Sequence, residues 1–235
     1  MKKSLAVVDY RQLRPGNLNS EEFSHLKLLL YWPVYGLLFM FVERFYQVDS
    51  YYAVHCALDD YIPFNELFLI PYMFWFLFLI GMHLYTLLYD TRAFRQMMKF
   101  IIISYSVTII IYFIFPTCQL LRPESFARDN VLTRFMAGFY RFDTNTNVCP
   151  SIHVIGSLAV MFTAWHCRGL EHWGWKLAFT VTAVLISIST VFLKQHSALD
   201  ILAAVPVSLI AYRLAFRSRE KGLAVMPKSA ESPAR

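Results

Sequence analysis

The stretch LFLIPYMFWFLFLIGMHLYTLLY, residues 67–89, runs for 23 positions without Asp, Glu, Lys or Arg. A helix needs about 20 such residues to cross the hydrocarbon core of a bilayer, and inside lipid only helices and closed barrels satisfy the backbone. The run lacks strand-like alternation and is far too long for a barrel strand, so it reads as a transmembrane helix. Residues 26–45, 98–115, 150–167, 175–193 and 199–215 are likewise predominantly apolar. The 235-residue chain is 57% hydrophobic and 16% charged, where soluble proteins carry about 25% charged residues. The expectation is an all-α, polytopic membrane protein: a six-transmembrane-helix bundle over residues 26–216, with a cytoplasmic segment 1–25 and a disordered tail 217–235. Pro33, Pro71 and Pro206 fall near helix ends or at kinks. The polar N-terminus has no apolar core of its own, so the first hydrophobic segment is expected to stay in the mature protein.

Charge sets the orientation. Of 22 Lys and Arg, only Arg44, Arg122, Arg128, Arg134, Arg141 and Lys194 fall between the odd segments and the even ones that follow them. The rest lie at the two ends and in the alternate loops, which the positive-inside rule makes cytoplasmic together with both termini. The net charge of +6 is then a topology signal, with attraction to anionic headgroups second. Nucleic-acid binding is not expected, because no basic patch is interleaved with aromatics on a soluble module. The short loops suit a bacterial plasma membrane. Arg122, His153, His196 and Asp200 all come out on the extracytoplasmic side.

Those residues form a chemical pattern. His196 and Asp200 are four apart at a helix start and share a face; the carboxylate can bind one ring nitrogen and leave the other as a nucleophile toward phosphorus. His153 follows Pro150 and Ser151 at another helix start, where free N–H groups and the Ser151 hydroxyl make an anion site, and an imidazole there can protonate a leaving oxygen. The Arg122 guanidinium offers a planar fork for phosphate oxygens. Taken alone, the His196–Asp200 pair is equally well read as an interfacial histidine with a capping carboxylate, and His153 and Arg122 are better read as an interfacial and a solvated residue. Three of them in order on one face point to phosphoryl transfer.

Arg122-Pro123, Pro150-Ser151-x-His153 and Ser189-x6-His196-x3-Asp200 resemble the three motif blocks of the type 2 phosphatidic acid phosphatase superfamily, in order and spacing. The resemblance implies a metal-independent, cofactor-free lipid phosphatase in which His196 becomes phosphohistidine, Asp200 orients it, His153 is the general acid, and Arg122 and Ser151 bind phosphate. It implies a lipid phosphate or diphosphate as substrate and the bilayer as surroundings, and leaves the oligomeric state open. Where the family has Lys, Gly and Arg this chain has Phe115, Ile152 and Thr190. Lys194 is expected to replace one missing cation, with Arg128, Arg134 or Arg141 for the other. The bulky second block also looks like the inositol phosphorylceramide and sphingomyelin synthase branch, which transfers to a lipid alcohol. A non-catalytic lipid-binding or transport protein is the reading from another class.

Lesser features complete the pattern. Residues 143–147 imitate the start of a calcium loop but lack its Gly and Glu, and read as a polar turn. Cys118 and Cys149 either bridge or stay free, and His166, Cys167 and His172 lack a zinc spacing. Residues 130–141 carry apolar groups at helical spacing and read as an amphipathic helix at the interface, roofing the site.

Overall fold

The computed structural model describes residues 7–46 and 48–217. The tail expected to be disordered falls, beyond Arg217, outside the described residues. The chain is mostly helical. The helices are α1 (Tyr31–Arg44), α2 (Ala57–Tyr61), α3 (Leu69–Tyr89), α4 (Thr91–Ile114), α5 (Val131–Phe142), α6 (Ile152–His166), α7 (Trp173–Phe192) and α8 (Ala198–Tyr212). A 3-10 stretch, Ser24–Leu30, leads into α1, and a π turn, Arg213–Arg217, ends α8. Two short strands, β1 (Tyr52–Ala53) and β2 (Thr117–Cys118), pair in parallel.

Among the described residues, five helices are long and apolar enough to cross a membrane: Ser24–Arg44, Glu66–Tyr89, Thr91–Ile114, Trp173–Phe192 and Ala198–Phe216; Ile152–His166 is apolar but shorter. The short helix is the central one, packing on α3, α4, α7 and α8. Its Val154, Ile155, Ala159, Val160 and Ala164 are buried, whereas Leu37, Ile70, Leu77, Ile110 and Leu202 on the outer helices are exposed. Large apolar side chains facing outward suit lipid as solvent, where packing between helices replaces hydrophobic collapse.

One boundary differs from the sequence reading for a physical reason. Helix α4 begins at Thr91, seven residues before the apolar segment, because Asp90 caps it by accepting from the Ala93 N–H (3.0 Å). The same carboxylate accepts from the Arg168 N–H (2.9 Å) and ties the α3–α4 turn to the α6–α7 turn. The polar segment before α1 is not wholly solvated. Val8, Phe23 and His25 are buried, and the Tyr10 hydroxyl donates to the Leu87 carbonyl (2.7 Å) near the end of α3.

Gly156 shows how tight the central packing is. A Cβ there would lie 2.7 Å from the Tyr105 hydroxyl and 3.0 Å from Trp75 Nε1, and both rings are buried. Gly156→Val is expected to cost about 1–3 kcal/mol through overpacking, read as a lower melting temperature in detergent.

Candidate active site

The site assembles where α1, α4 and α7 end and α3, α6 and α8 begin. Helix α7 stops in a tight turn: the Thr190 carbonyl accepts from the N–H groups of both Gln195 (2.9 Å) and His196 (3.1 Å), and Lys194 takes a left-handed conformation (φ 52°). Ser197 then caps α8, accepting from the Leu199 N–H (3.1 Å). One turn into the helix, Asp200 reaches back, so that Oδ2 accepts from the Ser197 N–H (3.0 Å) and lies 3.0 Å from His196 Nδ1. Asp200 is fully buried. Its carboxylate fixes His196 with Nδ1 protonated, which leaves Nε2 as the free lone pair.

His153 stands in the first turn of α6. Its ring packs against Tyr72 (4.7 Å between centroids) and Trp75 (4.6 Å), and lies 5.6 Å from the His196 ring. His153 Nδ1 has no partner. Both histidines line one cavity, together with Phe39, Glu43, Tyr112, Asp143, Asn147 and others. Ser151 is buried and caps α6, accepting from the Val154 N–H (3.5 Å). Its own N–H donates to the Asp200 carbonyl (3.2 Å), joining the starts of α6 and α8.

The expected cations are placed differently from the sequence reading. Arg122 Nη1 donates to the carbonyls of Tyr140 (3.1 Å) and Asp143 (2.8 Å), and Nη2 to the Thr144 carbonyl (2.9 Å) and Gln195 Oε1 (2.6 Å). Only Nε is left without a partner. The guanidinium, stacked over Tyr140 at 4.6 Å and 3.6 Å from the Asp143 carboxylate, clamps the loop beside the site to Gln195, the neighbour of His196. Burial lowers the Arg122 pKa, and Asp143 opposes that. The Lys194 ammonium is buried and donates to the Asp59 carbonyl (2.8 Å), so it binds α2 and does not line the cavity. Burial lowers its pKa against the pull of Asp59 and Asp60.

Arg128 lies 3.6 Å from Glu66, Arg134 forks onto Asp129 (2.7 and 2.8 Å), and Arg141 is exposed. None of the three lines the cavity. Phe115 stacks on Tyr52 at 4.3 Å, and Thr190 is fully buried, where an arginine has no room. All four cysteines are free. Burial, reinforced by Asp200, pushes the Cys149 thiol up to about 12, which keeps it a neutral neighbour of that carboxylate.

Three parts of the site had no signal in the sequence. Asp59, in α2, accepts through Oδ2 from the Ser197 hydroxyl (2.5 Å) and the Cys56 N–H (2.9 Å), and through Oδ1 from the Ala198 N–H (2.8 Å). It holds the start of α8 from 138 residues away. Glu43, at the end of α1, accepts from Asn147 Nδ2 (3.0 Å) and from the Thr144 hydroxyl. Gln119 Nε2 donates to the Lys194 carbonyl (2.6 Å). The polar turn at 143–147 therefore also forms a wall of the site. The amphipathic helix is α5. Tyr140 donates to the Leu193 carbonyl (2.6 Å), and Asn130, its cap, donates to Glu66 (3.0 Å), so α5 is fastened over the ends of α3 and α7.

Burial raises the Asp59 pKa, but the Ser197, Ala198 and Cys56 donors outweigh it and hold the carboxyl below its usual range. The ionised group therefore stabilises the fold above the ordinary carboxylate pKa, and that stability is lost as pH falls through the lowered value. Asp59→Asn turns an NH2 toward N–H and O–H donors and is expected to cost about 1–3 kcal/mol. Melting curves from neutral to acid pH should show the lower stability at neutral pH and a smaller acid-induced loss than in the parent.

Comparison with protein-family models, curated proteins and solved structures finds no match to this chain.

Proposed function

We propose that this chain is an integral membrane phosphoesterase acting on a lipid phosphate through a covalent phosphohistidine. One observation carries the reading: a buried His196–Asp200 pair, 3.0 Å apart, faces His153 across a shared cavity. A histidine held by a buried carboxylate at one nitrogen is an activated nucleophile at the other. The His196 Nε2 lone pair attacks phosphorus, the bond to the lipid oxygen breaks, and His153 gives that oxygen its proton. Water then attacks the phosphohistidine, with His153 taking the proton back. The motif resemblance supports the same assignment.

An apolar groove of about 760 Å³ between α3, α5 and α7, lined by Leu69, Met73, Phe74, Leu132, Phe135 and Leu185 among others, supports a lipid substrate. Tyr72, whose ring packs on His153, belongs to the same apolar cluster as Leu69, Met73 and Leu132, so the groove lies on the side of the leaving oxygen. In this reading all six apolar helices cross the membrane. Helix α6, about 22 Å long at 1.5 Å per residue, is completed by the loop before it. Both termini are cytoplasmic and the site opens extracytoplasmically, as in a bacterial plasma membrane. Ile152, where the resembled phosphatases have glycine, lines the cavity and favours as second reading a transferase in which a lipid hydroxyl replaces water.

His196→Ala should abolish turnover of lipid phosphates by purified protein. His153→Ala should lose about 10²–10⁴-fold on an alkyl phosphate and far less on a nitrophenyl ester, whose oxygen departs without a proton. Equal losses on both would remove His153 from the acid role.

A further inference from the structure

Phosphoryl transfer needs hydrogen-bond donors aimed at the transferring oxygens, and among the described residues no Lys or Arg lines the cavity between the histidines. Gln195 does line it. The neighbour of His196 in the chain, Gln195 is 3% exposed. The turn that ends α7 holds both residues by the backbone, because the Thr190 carbonyl accepts from the N–H of each (2.9 and 3.1 Å).

Arg122 decides which way the Gln195 amide faces. A guanidinium only donates, so its 2.6 Å contact from Nη2 must be to the amide oxygen, Oε1. That leaves Nε2 on the side of Asp143, which also lines the cavity. Asp143 Oδ2 accepts from Nε2 at 3.2 Å and is its only hydrogen-bond partner among the described residues. An amide nitrogen carries two N–H groups, so one remains for a ligand. The charge-assisted bond at Oε1 polarises the amide and strengthens its donors. Arg122 itself is committed: Nη1 and Nη2 serve four acceptors, and the residue does not line the cavity.

We propose that Gln195 is a catalytic residue that donates through Nε2 to a non-bridging oxygen of the phosphoryl group, and that Arg122 is a positioning residue acting through it. This rests on the reading that His196 attacks a lipid phosphorus. As the N–P bond forms and the P–O bond to the lipid breaks, the Gln195 N–H holds the charge on the transferring oxygen. The amide gains and loses no proton, and the leaving oxygen still takes its proton from His153. A neutral donor with a buried cation behind it thus stands where the resembled phosphatases use cations directly.

The test measures kcat/KM of the purified full-length protein on nitrophenyl phosphate and on phosphatidic acid. Gln195→Glu keeps an oxygen for Arg122 but turns the donor into an acceptor, and Gln195→Met keeps the length and removes both polar atoms. Each should lose about 10²-fold or more on both substrates, as the loss of a preorganised donor does. Orthovanadate, which mimics the five-coordinate phosphoryl group, should bind each variant more weakly by about tenfold or more; its dissociation constant does not depend on the fraction of protein folded. Turnover and vanadate affinity within about twofold of the parent in either variant, the scatter of independent sites, overturn the proposal. Arg122→Lys keeps the charge but loses the fork. It should cost about tenfold in the parent and less than about twofold in the Gln195→Met background, where nothing is left to position. A merely structural loss would persist in both backgrounds, and equal costs overturn the role given to Arg122. No turnover of either substrate by the parent would overturn the phosphoesterase reading beneath, a result distinct from turnover that ignores Gln195.

Discussion

A fully buried carboxylate, Asp200, is the constraint around which the rest of the site is arranged. A carboxylate out of water needs donors, and here the His196 imidazole and the Ser197 N–H both serve Oδ2, while Oδ1 has no partner. To supply them, the chain must turn sharply between α7 and α8 and start α8 at Ser197. That turn fixes His196. Asp59 from α2 and Gln119 from the β2 loop then brace the turn, so the geometry of the His196–Asp200 pair is built into the way two helices are joined.

The same logic explains the central position of α6. Its start carries His153, and the backbone link from Ser151 to the Asp200 carbonyl sets the two helix mouths in register. Gly156 in α6 lets Trp75 and Tyr105 close on it, and Trp75, with Tyr72, also packs on the His153 ring. A helix sheltered from lipid on several sides has no need of a long apolar surface, which accounts for its shortness. Packing in the bundle and positioning at the site are thus carried by the same side chains.

Much of this was legible in the sequence because lipid imposes long, charge-free runs. The five long helices, the interfacial α5, and the meeting of His153, His196 and Asp200 at one end all follow from hydropathy and i,i+4 spacing. What stayed hidden depends on contacts across the chain. Helix α4 gains two polar turns because Asp90 caps it, which hydropathy does not register. Arg122 was read as a phosphate ligand from its donor fork and the motif resemblance, and Lys194 as a substitute for a missing motif cation, but the carbonyls of residues 140, 143 and 144 surround Arg122 and the Asp59 carbonyl takes the Lys194 ammonium. Nothing local distinguished Glu43 from an ordinary interfacial glutamate. Its place beside His196 is set by the loop around Asn147, more than a hundred residues away.

The central claim is that His196 Nε2 forms a bond to phosphorus, and the most direct measurement is to catch that bond. Purified protein is mixed with a lipid phosphate, quenched in alkali within milliseconds to seconds, digested and analysed by mass spectrometry. The account requires an alkali-stable, acid-labile phosphoryl adduct on the peptide containing His196, formed and lost at rates that match turnover. Turnover with no such adduct under any quench, or an adduct on another residue that persists in His196→Ala, would contradict it.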